Sequence, residues 1–229
     1  MSRAIIYTIT LFLFTVSVFS QNINKFDANG KRHGMWEKKN TKGELLYKGE
    51  FNHGTPINEF KYFFSDNTVK ATIKYENSSI AHSTTYYYNG KIKAKGDYVN
   101  KKRNGKWNFF SEEGVVISNE NYINGVKEGV SKTFYPSGKL LEKINYKNDI
   151  KEGEWLQYFE SGKIRKKAFY KNDVFDGKVQ VFRPSGKIMI EGQYEKGTLT
   201  GKWFYYNDDE KVERIEEYVN GKLINKNAK

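Results

Sequence analysis

Two sets of side chains in this sequence have types and spacings suited to binding a ligand. Trp107, Trp155 and Trp203 recur every 48 residues, and exposed indole rings at such intervals could stack on sugars or clasp a peptide. The second set, the lysine row, consists of lysines that follow short turns: Lys91, Lys139, Lys163, Lys187 and Lys211. Evenly spaced lysines could add up against an anionic polymer or an anionic lipid surface. These eight residues are our candidate partner-binding residues.

Both sets also have a structural explanation, and we favour it. Ser131 and Val179 fall midway between successive tryptophans, so large and small side chains alternate as they do in a well-packed layer. Lysines at turns keep a β-rich protein soluble and discourage pairing between sheet edges. The sequence alone leaves binding and structural roles open for both sets.

Catalytic chemistry finds little support. The three histidines, His33, His53 and His82, lack the spacing of a metal-binding pair. The chain has no cysteine, which excludes disulfides, thiolate metal sites and a cysteine nucleophile. No nucleophile elbow or phosphate-binding loop is present, so we expect neither an enzyme nor a cofactor or metal.

The N-terminus has the layout of a secretory signal peptide. Arg3 precedes the apolar run Ala4–Phe19, and small residues precede a cleavage point ahead of Gln21. A retained membrane anchor is the alternative, but the run is shorter than the ~20 apolar residues of a spanning helix. We therefore expect residues 1–20 to be removed and the protein to be exported. Its formal charge of +12 would permit nucleic-acid binding, yet nucleic acid is a poor partner for an exported protein.

The candidate residues sit on a tandem repeat. Eight units begin at Gly34, Asn58, Ala81, Gly105, Gly129, Gly153, Gly177 and Gly201, with a spacing of 24 residues except for one of 23. The third residues of the units form the tryptophan row: Trp36, Phe60, Ser83, Trp107, Ser131, Trp155, Val179 and Trp203. A fixed period of this size indicates a repeat array, in which each unit is stable only when stacked on its neighbours.

Two further rows recur in every unit. The tyrosine row is Phe51, Tyr75, Tyr98, Tyr122, Tyr146, Tyr170, Tyr194 and Tyr218. The aliphatic row is Leu45, Val69, Ile92, Val116, Leu140, Ile164, Ile188 and Val212. Members of the two rows lie six residues apart, so alternation along a strand predicts that they share one face and form the core with a ring on the preceding strand, such as Phe110.

Turn residues divide each unit into two strands. Glycines such as Gly138 and Gly162 can adopt the positive φ of a short hairpin loop, whereas Asn67 and Glu210 replace them in two units and predict weaker turns. Asn-Gly or Asn-Asp follows most tyrosines and predicts a second turn. We predict an all-β fold, an elongated, twisted antiparallel meander of about eight tandem 24-residue β-hairpin repeats, as a single array over residues 21–229. Residues 58–80, which lack one residue, should be irregular.

The repeat resembles a known family. The pattern Gly-x-Trp-x-x-Tyr-Tyr-x-x-x-Gly-Lys followed by Tyr-x-Asn-Gly is similar to the MORN repeat in its bacterial variant form. The resemblance implies a protein scaffold, a contact with membrane phospholipid, or the antitoxin half of a toxin–antitoxin pair. We therefore expect a non-catalytic exported module that binds a protein partner at the cell envelope. The alternatives are a binder of envelope glycan or anionic lipid and an antitoxin-like neutraliser.

Overall fold

The computed structural model describes residues 23–228, which form strands and turns. The expected signal peptide, residues 1–20, lies outside this part of the chain. Within the described residues there is no helix of the length and apolarity needed to cross a membrane.

Twenty strands follow one another along the chain. They are β1 Lys25–Phe26, β2 Arg32–Lys39, β3 Leu45–Asn52, β4 Thr55–Phe63, β5 Val69–Tyr75, β6 Ile80–Tyr86, β7 Ile92–Val99, β8 Lys102–Phe110, β9 Val116–Ile123, β10 Val126–Lys127, β11 Gly129–Phe134, β12 Leu140–Lys147, β13 Ile150–Tyr158, β14 Ile164–Lys171, β15 Val174–Phe175, β16 Gly177–Phe182, β17 Ile188–Glu195, β18 Thr198–Tyr206, β19 Val212–Val219 and β20 Lys222–Ala228. Successive strands pair antiparallel, except that β9 pairs with both β10 and β11, and β14 with both β15 and β16. Each repeat contributes one hairpin, so the all-β meander is confirmed.

The turns have the predicted geometry. Asn124 and Gly125 have φ values of 52° and 88°, and Asn148 and Asp149 have values of 53° and 65°. Two successive residues with positive φ make the tight turn whose twist matches that of paired strands. Asn67 and Glu210 keep the positive φ of the glycines they replace, at 64° and 60°, so those two turns form despite the change.

A bulge in every hairpin corrects the predicted core. In the fourth repeat, Phe109 pairs with Ser118 but Phe110 pairs with Val116, leaving Ile117 unpaired, and the same one-residue shift occurs in all eight hairpins. Directly paired side chains share a face, while Phe109 and Phe110 point to opposite faces. The aliphatic row and the ring paired with it therefore lie on the face opposite the tyrosine row, and the prediction of a shared face is wrong.

The most buried line of side chains runs along the tryptophan row instead. Trp155, Ala168 and Val179 follow one another across adjacent strands and belong to one core cluster. Three rings of this row, Phe60, Trp107 and Trp203, lie directly on glycines of the preceding strand. A Cβ atom added to Gly96 would lie 2.4 Å from Cδ2 of Trp107, and one added to Gly192 would lie 2.2 Å from Cδ2 of Trp203. Glycine is required at these two positions because the ring occupies the side-chain space.

The shortened second repeat changes one strand pair. Most repeats begin with a glycine at positive φ, such as Gly105 at 72°, and Asn58 adopts 57° in the same role. Opposite such a residue, the register between the strands of consecutive repeats shifts. Where β7 pairs with β8, for example, the register shifts between Lys95 and Asp97. Ala81 is not among the residues with positive φ, and β5 and β6 pair without a shift. The missing residue therefore removes a bulge. Residues 58–80 do differ from the other repeats as expected, but the difference is that the strands of the second and third repeats pair without a shift.

Candidate binding face

The tryptophan and tyrosine rows lie on one face of the sheet, which we call the tyrosine face. The ring of Trp107 lies edge-to-face between Tyr98 and Tyr122, with centroids 5.1 and 6.5 Å away. Phe60 and Trp203 lie in the same way between neighbouring rings of the tyrosine row. Edge-to-face geometry is favourable for aromatic pairs, so these contacts fix the orientation of both rows.

The three candidate tryptophans are core residues. Trp107, Trp155 and Trp203 expose 2%, 7% and 6% of their surface, so these indoles are buried, in agreement with the packing explanation that we favoured from the sequence. Trp107 Nε1 donates to the carbonyl oxygen of Asp97 at 3.1 Å, and Trp155 Nε1 donates to Glu142 Oε1 at 2.5 Å. These indoles support the face from below and do not offer their own rings to a ligand.

The tyrosine row forms the accessible layer of this face. Most of its members are half-buried. Burial raises the pKa of the hydroxyl groups of Tyr75, Tyr122, Tyr146, Tyr170 and Tyr218. These phenols therefore stay protonated at neutral pH and can donate hydrogen bonds.

Cations lie over several of the rings. The guanidinium of Arg103 is 4.5 Å from the ring centroid of Trp107, and that of Arg214 is 3.8 Å from the centroid of Tyr205. Lys127 Nζ is 5.2 Å from the centroid of Tyr146. Sequence reasoning missed these residues, although Arg103 and Lys127 share a position two residues before a repeat begins. Such contacts pre-position the rings and make the face basic and aromatic together.

Two carboxylates on this face accept hydrogen bonds from tyrosine hydroxyls. Glu216 accepts hydrogen bonds from the hydroxyls of Tyr205 at 2.6 Å and Tyr218 at 2.9 Å, and these bonds, led by that of Tyr205, lower the pKa of its carboxyl. Glu120 likewise accepts from Tyr122 and pairs with Lys127. The equivalent positions of the first three repeats are Gly49, Ile73 and Gly96, so no carboxylate occurs at this position there.

The lysine row lies apart from the tryptophans, at the turns along one edge of the sheet, and all five side chains are exposed. Lys91, Lys163 and Lys187 donate from Nζ to backbone carbonyl oxygens of the next repeat's turn, at 3.1, 2.6 and 2.6 Å. These three lysines therefore tie consecutive turns together. Lys139 and Lys211 complete the row, whose affinity for an anionic ligand stays a prediction.

Two of the three histidines lie together and the third lies apart from them. His53 Nδ1 lies 2.6 Å from Asp27, and this hydrogen bond lowers the pKa of that carboxyl to about 2. The ring of His33 lies 4.6 Å from that of His53. His82 is elsewhere, and its hydrogen bond with Asp97 raises the imidazole pKa. Among residues 23–228, no group of three or more histidine, aspartate or glutamate side chains is arranged to hold a metal ion.

Two cavities open on the tyrosine face around the third repeat, one of about 510 Å³ and one of about 660 Å³. Ile73 and Tyr98 line both, so the two are neighbours. Volumes in this range suit a peptide side chain or a small ligand. Sequence reasoning missed this site, although two features mark it. The spacing from Asn58 to Ala81 is 23 residues, and the tryptophan row holds a serine, Ser83, in this repeat.

Comparison with known proteins agrees with this architecture. The family described as MORN repeat variant matches four times, at residues 81–100, 127–148, 151–172 and 175–196. A search of curated proteins finds no match. Repeats of this family are generally protein- or membrane-binding modules and are generally not enzymes. The four matches fall in register with the hairpins described above, and the chain is a MORN-repeat protein.

Proposed function

We propose that this protein is a non-catalytic, exported scaffold that holds a protein partner on its tyrosine face at the cell envelope. One observation carries the proposal: no second layer covers the half-buried rings of the tyrosine row in the described part of the chain. A large aromatic surface of this kind marks a place where another molecule binds.

The chemistry of the face favours a protein over a glycan or a lipid. Tyrosine and arginine are, with tryptophan, the side chains enriched at the energetic centres of protein interfaces. Here the rings are held in place by the buried tryptophan row and by cations such as Arg103, so little side-chain freedom is lost on binding. Three of the five lysines that could attract anionic lipid already donate to backbone carbonyl groups.

Export is part of the proposal and rests on Arg3 and the apolar run Ala4–Phe19. N-terminal sequencing of the protein recovered from an envelope fraction should give Gln21 as the first residue. Recovery of the chain in the cytosol with its first residues intact would contradict export and favour the intracellular antitoxin-like alternative.

Binding is tested by affinity capture with the full chain carrying a C-terminal tag. Adjacent residues on opposite faces give a matched pair of variants, Thr133→Glu on the tyrosine face and Lys132→Glu on the other. We expect a stoichiometric protein that survives a high-salt wash, is retained by Lys132→Glu and is lost with Thr133→Glu. Its identity by mass spectrometry distinguishes a scaffold client from a toxin.

The alternatives give different results. Anionic lipid or polymer that is lost at high salt, and is weakened more by Lys132→Glu, would replace the proposal with a charge-driven surface. A bound glycan that resists salt and is lost with Thr133→Glu would keep the face and change the ligand. Absence of any stoichiometric protein would refute the scaffold.

A further inference from the structure

In several repeats a ring of the tryptophan row lies between two rings of the tyrosine row, but the third repeat lacks this central ring. Where the tryptophan row carries Phe60, the ring lies between Phe51 and Tyr75, with centroids 5.0 and 5.5 Å away. One repeat later, Tyr75 and Tyr98 flank Ser83, which has no ring to place between them.

The seventh repeat also lacks a ring in the tryptophan row, at Val179, but its place is filled. The residue two positions before the repeat is Phe175, whose ring stacks on Tyr170 at 4.4 Å and lies 5.4 Å from Tyr194. This phenylalanine supplies from a neighbouring position the ring that the row omits.

The fifth repeat, with Ser131 in the row, is filled by a cation. Lys127, again two residues before the repeat begins, lies 5.2 Å from the centroid of Tyr146 and 2.9 Å from Glu120. In the third repeat the equivalent residue is Ser79, which is too short to fill the space. The gap at Ser83 therefore has no internal substitute.

Both cavities of the tyrosine face lie at this gap. The one of about 510 Å³ is lined by Tyr75, Ala81 and Tyr98, and the one of about 660 Å³ by Ser83 and Tyr98. Ala81 and Ser83 expose only 7% and 5% of their surface, so they form a deep floor beneath the two rings. We propose that this gap, the aromatic seat, receives an aromatic side chain of a protein partner between Tyr75 and Tyr98.

The charge around the seat specifies the segment that carries that side chain. Lys101 lines the first cavity, Lys70 and Lys93 line the second, and no carboxylate lines either. A segment with acidic residues on both sides of its aromatic anchor complements this rim. The inference rests on the proposed function and names its partner chemistry: an acidic peptide segment anchored by one tryptophan or phenylalanine.

The chain's own sequence suggests how to close the seat. Trp36 pairs with Gly49 while the ring of Phe60 packs on that glycine, so two rings can flank one glycine in this row. Ser83 pairs with Gly96 in the same arrangement, with Trp107 on the far side. Ser83→Trp should therefore fill the seat within a folded array. Thr84→Trp, one residue along and on the opposite face, is the matched control.

The probe is a fluorescein-labelled peptide with one tryptophan between two runs of three glutamates, titrated by fluorescence anisotropy at low salt. We expect Ser83→Trp to weaken binding at least tenfold and Thr84→Trp to leave it within twofold. Replacing the peptide's tryptophan with alanine should abolish binding, and replacing its glutamates with lysines should weaken it severalfold. Unchanged melting temperatures confirm that both variants are folded.

Equal binding to wild type and Ser83→Trp, equal binding of the alanine peptide, or no binding by wild type would overturn the aromatic seat. The captured partner separates this failure from failure of the proposed function. If Ser83→Trp still retains the partner that Thr133→Glu loses, the scaffold stands and the seat is wrong. If wild type retains no partner, the scaffold fails whatever the peptide does.

Discussion

The close contact between Gly96 and Trp107 predicts that Gly96→Ala destabilises the protein when the indole ring is present and stabilises it when the ring is removed. A Cβ atom at Gly96 would lie 2.4 Å from Cδ2 and 2.5 Å from Cε2 of the indole, whereas carbon atoms normally approach to about 3.5–4.0 Å. Trp107 cannot move away easily, because Tyr98 and Tyr122 flank it and Nε1 donates to a carbonyl. Gly96→Ala should therefore lower the free energy of unfolding by about 2 kcal/mol, as overpacking of a core does.

Removing the ring should reverse the effect. In a Trp107→Val background, which uses the side chain found at the equivalent Val179, the space above Gly96 is open. Gly96 does not have positive φ, so alanine fits its backbone. Gly96→Ala should then raise the free energy of unfolding by about 0.5 kcal/mol, because alanine loses less conformational entropy than glycine. The two effects give a coupling energy of about 2.5 kcal/mol, at the upper end for side chains in contact.

Urea denaturation of the four proteins, followed by circular dichroism, measures this cycle. Amide hydrogen exchange in β7 and β8 gives the local free energy, which matters because repeat arrays can unfold in parts. A Gly96→Ala cost that is the same with and without the indole would refute the reasoning, because the cost would then come from the backbone. A neutral effect in wild type would show that the ring is not held where the packing places it.

Three other changes follow from the same geometry. Glu210→Gly should raise the urea midpoint by the equivalent of about 1 kcal/mol, since Glu210 has a φ of 60°; an unchanged or lower midpoint would contradict this. Gly129→Ala should lower stability by a similar amount because Gly129 has a φ of 78° at the start of its repeat, and a neutral effect in the same titration would show that this bulge tolerates a side chain. The lowered pKa of Glu216 means that its stabilisation is fully present above the ordinary carboxyl pKa of 4.5 and is lost as pH falls through the lowered value. Urea midpoints of wild type and Glu216→Gln should therefore converge as pH falls from 7 to 3, and a constant difference would count against the role of the tyrosine hydroxyls.

Much of the architecture could be predicted from the sequence because the turns are encoded locally. Asn124-Gly125 and Asn148-Asp149 specify two successive positive φ values, and the glycine of the other turn specifies a third. Once both turns of a 24-residue unit are fixed, each strand can pair only with the strand before it and the strand after it, which determines the order of strands in the sheet.

The faces could not be predicted in the same way, because a bulge adds one residue without a strong sequence signal. Ile117, Lys93 and Glu213 are among the unpaired residues, and they share no side-chain type. Simple alternation therefore placed the aliphatic row on the wrong face. Register is a property of the paired strands, and one extra residue transfers every following side chain to the other side.

The aromatic seat depends on residues from three separate places in the chain. Ser83 omits the ring, Ser79 is too short to replace it, and the missing residue of the second repeat straightens the ladder beside them. Each feature is visible in the sequence, but none suggests a site by itself. Only the edge-to-face packing of Phe60 and Trp107 shows that a ring is absent between Tyr75 and Tyr98.

The most direct test of the central claim asks which face the partner touches. A photo-cross-linking benzoylphenylalanine can be placed at Thr85, on the tyrosine face, and at the adjacent Thr84, on the opposite face, in the full chain inside the cells that produce it. We predict a single protein adduct from position 85 after irradiation and none from position 84. An adduct from position 84 alone, or equal adducts from both positions, would contradict binding on the tyrosine face.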